Sequence, residues 1–175
     1  MTRRNKEKGF TLMEVIVVVG IVVIILALAG AFSIKAAYRR NVDSVTTRVS
    51  NSLQLTKLQA AKNGVEFRTV FVNNGNELEI ITHRGDSNID STVWQTADNG
   101  VLSVKIDTSV IISNLPAFFE FKPNGIASPS DNVLVIANAG TGTDRCGQVF
   151  VSALGRIATI QGHWDGTSCS QVEDE

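Results

Sequence analysis

Across residues 10–32 nearly every position is apolar, and the single charge among them is Glu14. The run covers 23 positions, and a helix of roughly 20 residues spans a bilayer core of about 30 Å. A transmembrane helix is therefore predicted over 10–34. Beyond it the spacing changes. Val42, Val45, Val49, Leu53, Thr56 and Ala60 recur at steps of three and four, which is one stripe of an amphipathic helix. Asp43, Arg48, Lys57 and Lys62 fill much of the other face, and Asn63-Gly64 is a stop signal. One long helix over 11–62 follows, with an amphipathic continuation, 35–63, packed under a head formed by 64–175.

In the head the period falls to two. Residues 65–72 alternate, Asn73-Asn74-Gly75-Asn76 makes a turn, and 77–82 answers as a hairpin partner. Shorter strands are expected at 92–95, 101–106, 109–113 and 117–121, the last ending at the turn Lys122-Pro123-Asn124-Gly125. Strands at 132–138, 148–154 and 155–161 complete the set. The fold class is α+β, a long helix followed by a β-rich head.

Charge adds a direction to this plan. Arg3, Arg4, Lys6 and Lys8 crowd ahead of the apolar run against Glu7, although the whole chain carries only −1. Without residues 1–9 the chain holds 12 basic and 16 acidic side chains, a net −4, which does not describe a general nucleic-acid-binding surface. Cys146 and Cys169 are the two cysteines. Outside the cytoplasm they read as one disulfide; inside it, as two buried thiols. His83 and His163 show no metal or triad spacing and read as exposed loop residues. Asn138-Ala139-Gly140-Thr141-Gly142-Thr143 lacks the Gly-Lys-Ser/Thr of a phosphate loop and reads as a turn. Trp94 reads as a half-buried strand residue, Trp164 as a loop anchor between the cysteines, and Glu173-Asp174-Glu175 as a solvated tail. No catalytic residue, metal, cofactor or small-molecule substrate emerges.

Three readings compete for the N-terminus. A secretory signal peptide would be cut after Ala27-Leu28-Ala29, making Gly30 the first residue. A plain single-pass anchor is the second; Lys35, Arg39 and Arg40 behind the run nearly balance the basic residues ahead of it, so charge does not orient it. Neither accounts for Glu14, since a carboxylate at membrane depth is expensive.

The third reading rests on resemblance. Gly9-Phe10-Thr11-Leu12-Met13-Glu14, between a basic leader and a long apolar run, resembles the class III signal of type IV pilins and pseudopilins. That resemblance implies a leader peptide, 1–9, removed by prepilin peptidase between Gly9 and Phe10, with methylation of the new Phe10 amine. It also implies that Glu14 pairs with the N-terminal amine of a neighbouring subunit and sets its register. Where many members place a proline, this chain has Gly30, with Gly20 upstream, as candidate weak points of the helix.

Two head segments extend the likeness more loosely. FEFKPNGIAS (119–128) and VFVSALGRIATI (149–160) resemble signatures of the GspH/FimT/FimU group of minor pilins and pseudopilins. The implied fold is type IV pilin-like, with the long helix on antiparallel sheets. The implied protein is a non-enzymatic subunit, anchored once in a bacterial inner membrane with its head in the periplasm. It would then join other minor and major pilins in a pilus, priming assembly or forming the tip, or serve in a type II secretion pseudopilus. A FimT-like DNA receptor is the reading from another class. There a G-R-x-R motif contacts phosphate; here Gly155 and Arg156 match, but Ala158 stands in place of the second arginine.

Overall fold

The computed structural model describes residues 11–74, 77–105 and 109–171, excepting the side chains of 27–33, 99, 103, 105 and 139. Gly9, Phe10 and the acidic residues 173–175 lie outside the described residues. The chain divides into two compact units, Met1–Ala36 and Ala37–Glu175.

Helix α1 is Leu12–Asn63, and its backbone is helical through Gly20 and Gly30. Thr11 caps its start: the Glu14 amide donates to the Thr11 carbonyl at 3.1 Å and to its hydroxyl at 3.3 Å. It stops where the sequence stops it, since Gly64 takes a left-handed φ of 67° while its amide still reaches Ala60 at 3.0 Å. Among the described residues no helix is long and apolar enough to cross a membrane. The expected segment, 10–34, includes Phe10 and the side chains of 27–33, which lie outside that description.

Among the described residues of the second unit, ten strands form two antiparallel sheets. The first contains β1 (Phe67–Asn73), β2 (Glu77–Gly85), β3 (Trp94–Lys105), β5 (Phe118–Phe121) and β6 (Ala127–Ser128), in the order β3-β2-β1-β5-β6. The second contains β4 (Val110–Ser113), β7 (Asp131–Ala137), β8 (Arg145–Val151), β9 (Ile157–Trp164) and β10 (Cys169–Gln171), in the order β10-β9-β8-β7-β4. The two expected strands at 92–95 and 101–106 are one strand, β3, which bulges opposite Thr82: Ile81 pairs with Val101 but His83 with Thr96. Gly100 sits in that bulge, where a Cβ would press on the Thr82 carbonyl. Both β6 and β10 are too short to carry an alternation, and the sequence pattern had no strand at either place.

The helix stripe read from the sequence is the core. Val42, Val45, Val49, Leu53, Thr56 and Ala60 are all buried, against Phe67, Leu78, Ile80, Phe119 and Phe121 of the first sheet and Val133, Val135, Val149 and Val151 of the second. Thr56 belongs in the stripe because its hydroxyl is satisfied: it bonds the Ser52 carbonyl at 2.9 Å and shares a 2.7 Å bond with Thr69. Opposite β8, Gly147 lets the helix approach closely, since a Cβ there would collide with Thr46.

Candidate assembly site

The first unit presents an apolar surface with one acid near its start. All side chains from Thr11 to Leu26 are exposed, Leu12 at 80% and Leu26 at 66% among them. A contiguous apolar surface of this kind requires a cover of lipid or of other apolar helices. Glu14 lies in the first turn of α1, where the free amide groups of the helix favour a negative charge. Among the described residues its carboxylate has no partner. An apolar cover would thus close over a charge that needs a cation beside it. The helix places on one surface the two things that the sequence puts side by side.

In the second unit the two loosely matched head segments meet. The turn after β5, closed by the Gly125 amide on the Lys122 carbonyl at 2.9 Å, abuts the β8–β9 turn. The Ala127 amide donates to the Ala153 carbonyl at 3.0 Å, tying the first sheet to the second. Gly155 has a φ of 67°, and a Cβ on it would overlap the Gly125 carbonyl. Its own carbonyl accepts the Lys57 ammonium at 2.7 Å, so the helix is fastened to the same corner. Gly155 is demanded by close backbone approach, and Gly125 by its left-handed φ of 89°. Arg156, the next residue, is exposed at the rim.

Residues 4–30 match the family model for the prokaryotic N-terminal methylation motif. The fold resembles the minor pseudopilin EpsH from the type 2 secretion system of Vibrio cholerae, with a TM-score of 0.51 at 12% identity, over 69% of this chain and 97% of that one. The fold is type IV pilin-like, and the N-terminus carries the methylation motif. Crystal structures of the Pseudomonas aeruginosa type IV minor pilin FimU also align with it. In one crystal form the TM-score is 0.47 at 15% identity, over 76% of this chain and 95% of that one; in another it is 0.44 at 14%, over 67% and 90%. No curated protein sequence matches the chain.

In the pilin-like head Cys146 and Cys169 form a disulfide, with Cα atoms 5.9 Å apart. It bridges β8 and β10 across β9, whose Gly162 pairs with Cys146 on one side and Gln171 on the other. Trp94 is half-buried in a strand, as expected, and its ring receives the Arg68 guanidinium at 4.3 Å. Three expectations need correction. His83 lies in β2 and is partly buried, and its Nδ1 atom has no hydrogen-bond partner. His163 is exposed but lies in β9, where its Nδ1 meets Asp144 at 2.7 Å. Trp164 is a strand residue that closes β9, paired with Cys169 of β10. Burial and the neighbouring Arg68 charge both push the His83 pKa down.

A buried carboxylate was missed. Glu66 is fully buried, and its oxygens accept the Asp90 amide at 3.0 Å and the Ser91 amide at 2.7 Å, with the Lys122 ammonium at 3.6 Å. Burial pushes its pKa up, but the Ser91 amide and hydroxyl, the Asp90 amide and Lys122 outweigh it and hold the group below its ordinary value. Nearby Glu120 moves the opposite way, raised by burial and by the Glu66 charge against the pull of Lys122 and Arg68. The alternation of 65–72 gave no hint of this. Position 66 precedes β1, and its partners stand 24 and 25 residues further on.

Proposed function

We propose that the chain is a minor pilin or pseudopilin, made with a leader peptide at 1–9 and cut by prepilin peptidase between Gly9 and Phe10. Methylated at the Phe10 amine, it is held once in the inner membrane with its head in the periplasm until it joins a pilus or pseudopilus. Its partners are other minor and major subunits, and its role is to prime assembly or occupy the tip. It works without a cofactor or covalent chemistry. The observation that carries this reading is the bare apolar surface of α1 with Glu14 in its first turn.

Packed among other such helices, Glu14 pairs with the Phe10 amine of a neighbour, because a paired charge is tolerated where a single one is not. Only one stagger of two apolar helices brings those charges together, so the pair sets register. Within this reading the pilus comes first, and the type II secretion pseudopilus is its alternative. DNA reception is the weaker alternative: Arg156 has no second arginine at 158, and the chain without its first nine residues carries −4.

The test has two parts. N-terminal sequencing of the membrane-extracted protein should return N-methyl-Phe10; Gly30 as first residue would establish secretory cleavage instead. Glu14→Ala should leave that processing intact and abolish recovery in sheared filaments. Normal incorporation of this variant would refute the register pair.

A further inference from the structure

We infer that the head carries a binding groove between α1 and β9 that accepts an extended acidic peptide segment of a partner protein. Along the exposed side of the helix, Arg40, Ser44, Thr47, Asn51, Gln54 and Leu58 follow one another at steps of four and three, all exposed. That spacing makes one straight row. Facing it are Ile157, Thr159 and Gln161, alternate residues of β9 on the side of the sheet that packs on the helix. Three adjoining depressions join the two rows, of about 430, 410 and 490 Å³. The first two share Thr47 and Gln161. The Thr159 hydroxyl reaches Ser50 at 3.0 Å across the floor.

The length follows from helix geometry. From Arg40 to Leu58 the rise is roughly 27 Å at about 1.5 Å per residue. An extended chain covers that in about eight residues.

The charge is one-sided. Arg40 and Arg48 stand at one end, Lys57 and Arg156 at the other. Among the described residues the side chains of Arg40, Arg48 and Arg156 have no ion-pair partner. The one carboxylate lining the groove, Asp43, is already held by Arg145 at 2.8 Å. Among the described residues an incoming chain therefore meets cations at both ends and no free acid between them.

The lining between those ends is built for a peptide. Asn51, Gln54, Gln161 and Gln171 each offer a donor and an acceptor, which is what a peptide backbone needs on both of its groups. Among the described residues no aromatic side chain lines the groove, so they offer no stacking platform of the kind that holds single-stranded bases. Leu58, Leu154 and Ile157 make the Arg156 end apolar, and Leu154 is 84% exposed. The segment that fits carries acids toward both ends, with an apolar residue at the Arg156 end.

The groove is built wholly from the second unit, so the inference stands apart from the filament reading, and its failure leaves the Glu14 test untouched. The experiment titrates the full-length chain in detergent against a fluorescent peptide of about eight residues, alternating glutamate and threonine with a terminal leucine, read by anisotropy at low salt. Saturable binding is expected, weakened at least tenfold by Arg48→Glu combined with Arg156→Glu, the loss of about 1.4 kcal/mol of charge pairing. Both side chains are exposed, so the thermal midpoint should not move. Equal binding of a lysine-for-glutamate peptide, or an affinity unaffected by the double reversal, would overturn the inference. So would an oligothymidine that binds more tightly and displaces the peptide, which would make the groove a nucleic-acid site.

Discussion

Replacing Glu66 with glutamine is the sharpest test of how the head is held together, because it preserves size and removes one oxygen acceptor and the charge. The carboxylate now receives two amides, Asp90 at 3.0 Å and Ser91 at 2.7 Å. A glutamine oxygen can keep one of them, but its NH2 group then faces the other donor. One amide donor left without a partner costs about 1–3 kcal/mol, and the lost charge assistance adds about 1 kcal/mol. The Lys122 pair at 3.6 Å adds little, since its ammonium is a quarter exposed and water replaces the carboxylate. The expected loss is about 3 kcal/mol at neutral pH, or about 10 °C in Tm for a unit of this size.

The pH dependence gives a second reading of the same contact. The folded pKa of Glu66 lies below its ordinary 4.5, so near and below that value the unfolded chain binds more protons than the folded one. The contribution of Glu66 is complete above its unfolded pKa and is lost as pH falls through the folded value. Urea unfolding of wild type and Glu66→Gln, followed from neutral pH downwards, should therefore show a gap in stability that narrows in acid. A glutamine variant within about 0.5 kcal/mol of wild type at neutral pH would refute the anchoring role. A gap that stays constant in acid would refute the charged state of the carboxylate.

Gly155→Ala should destabilise by about 2–4 kcal/mol, combining a left-handed φ with overlap on the Gly125 carbonyl; circular dichroism melting checks this, and an unchanged Tm would mean that the corner yields freely. Cys146→Ser with Cys169→Ser opens a loop of sequence separation 23 and should cost about 3 kcal/mol in the chain-entropy model, read as a lower urea midpoint; no change would show that β10 holds without the bridge. His83, its pKa pushed down by burial and Arg68, binds fewer protons folded than unfolded below its ordinary 6.5. Stability should thus fall as pH drops below that value, and His83→Gln should flatten this part of the urea-midpoint profile; an unaltered slope would place the titration elsewhere.

How much of the molecule was legible depended on how far apart the cooperating residues lie. The core stripe from Val42 to Ala60 was read correctly because a helix repeats its face every few residues, and the motif from Gly9 to Glu14 is a single short stretch. Long strands such as β2 and β7 announce themselves by alternation, whereas β6 and β10, of two and three residues, have no room to do so. Charges were the hardest to interpret. Arg48 and Lys57 look like a solvated helix face, and Arg156 like a lone arginine on a turn, until β9 is laid beside α1. Antiparallel order then brings Ile157 beside Leu58 and Gln161 beside Thr47, and residues about a hundred positions apart share one groove. Counted along the sequence, the head is poor in clustered cations; counted across its surface, the helix and the β8–β9 turn pool theirs. A search for clustered charge must therefore be made on the folded sheet order, since pairing between distant strands decides which charges add.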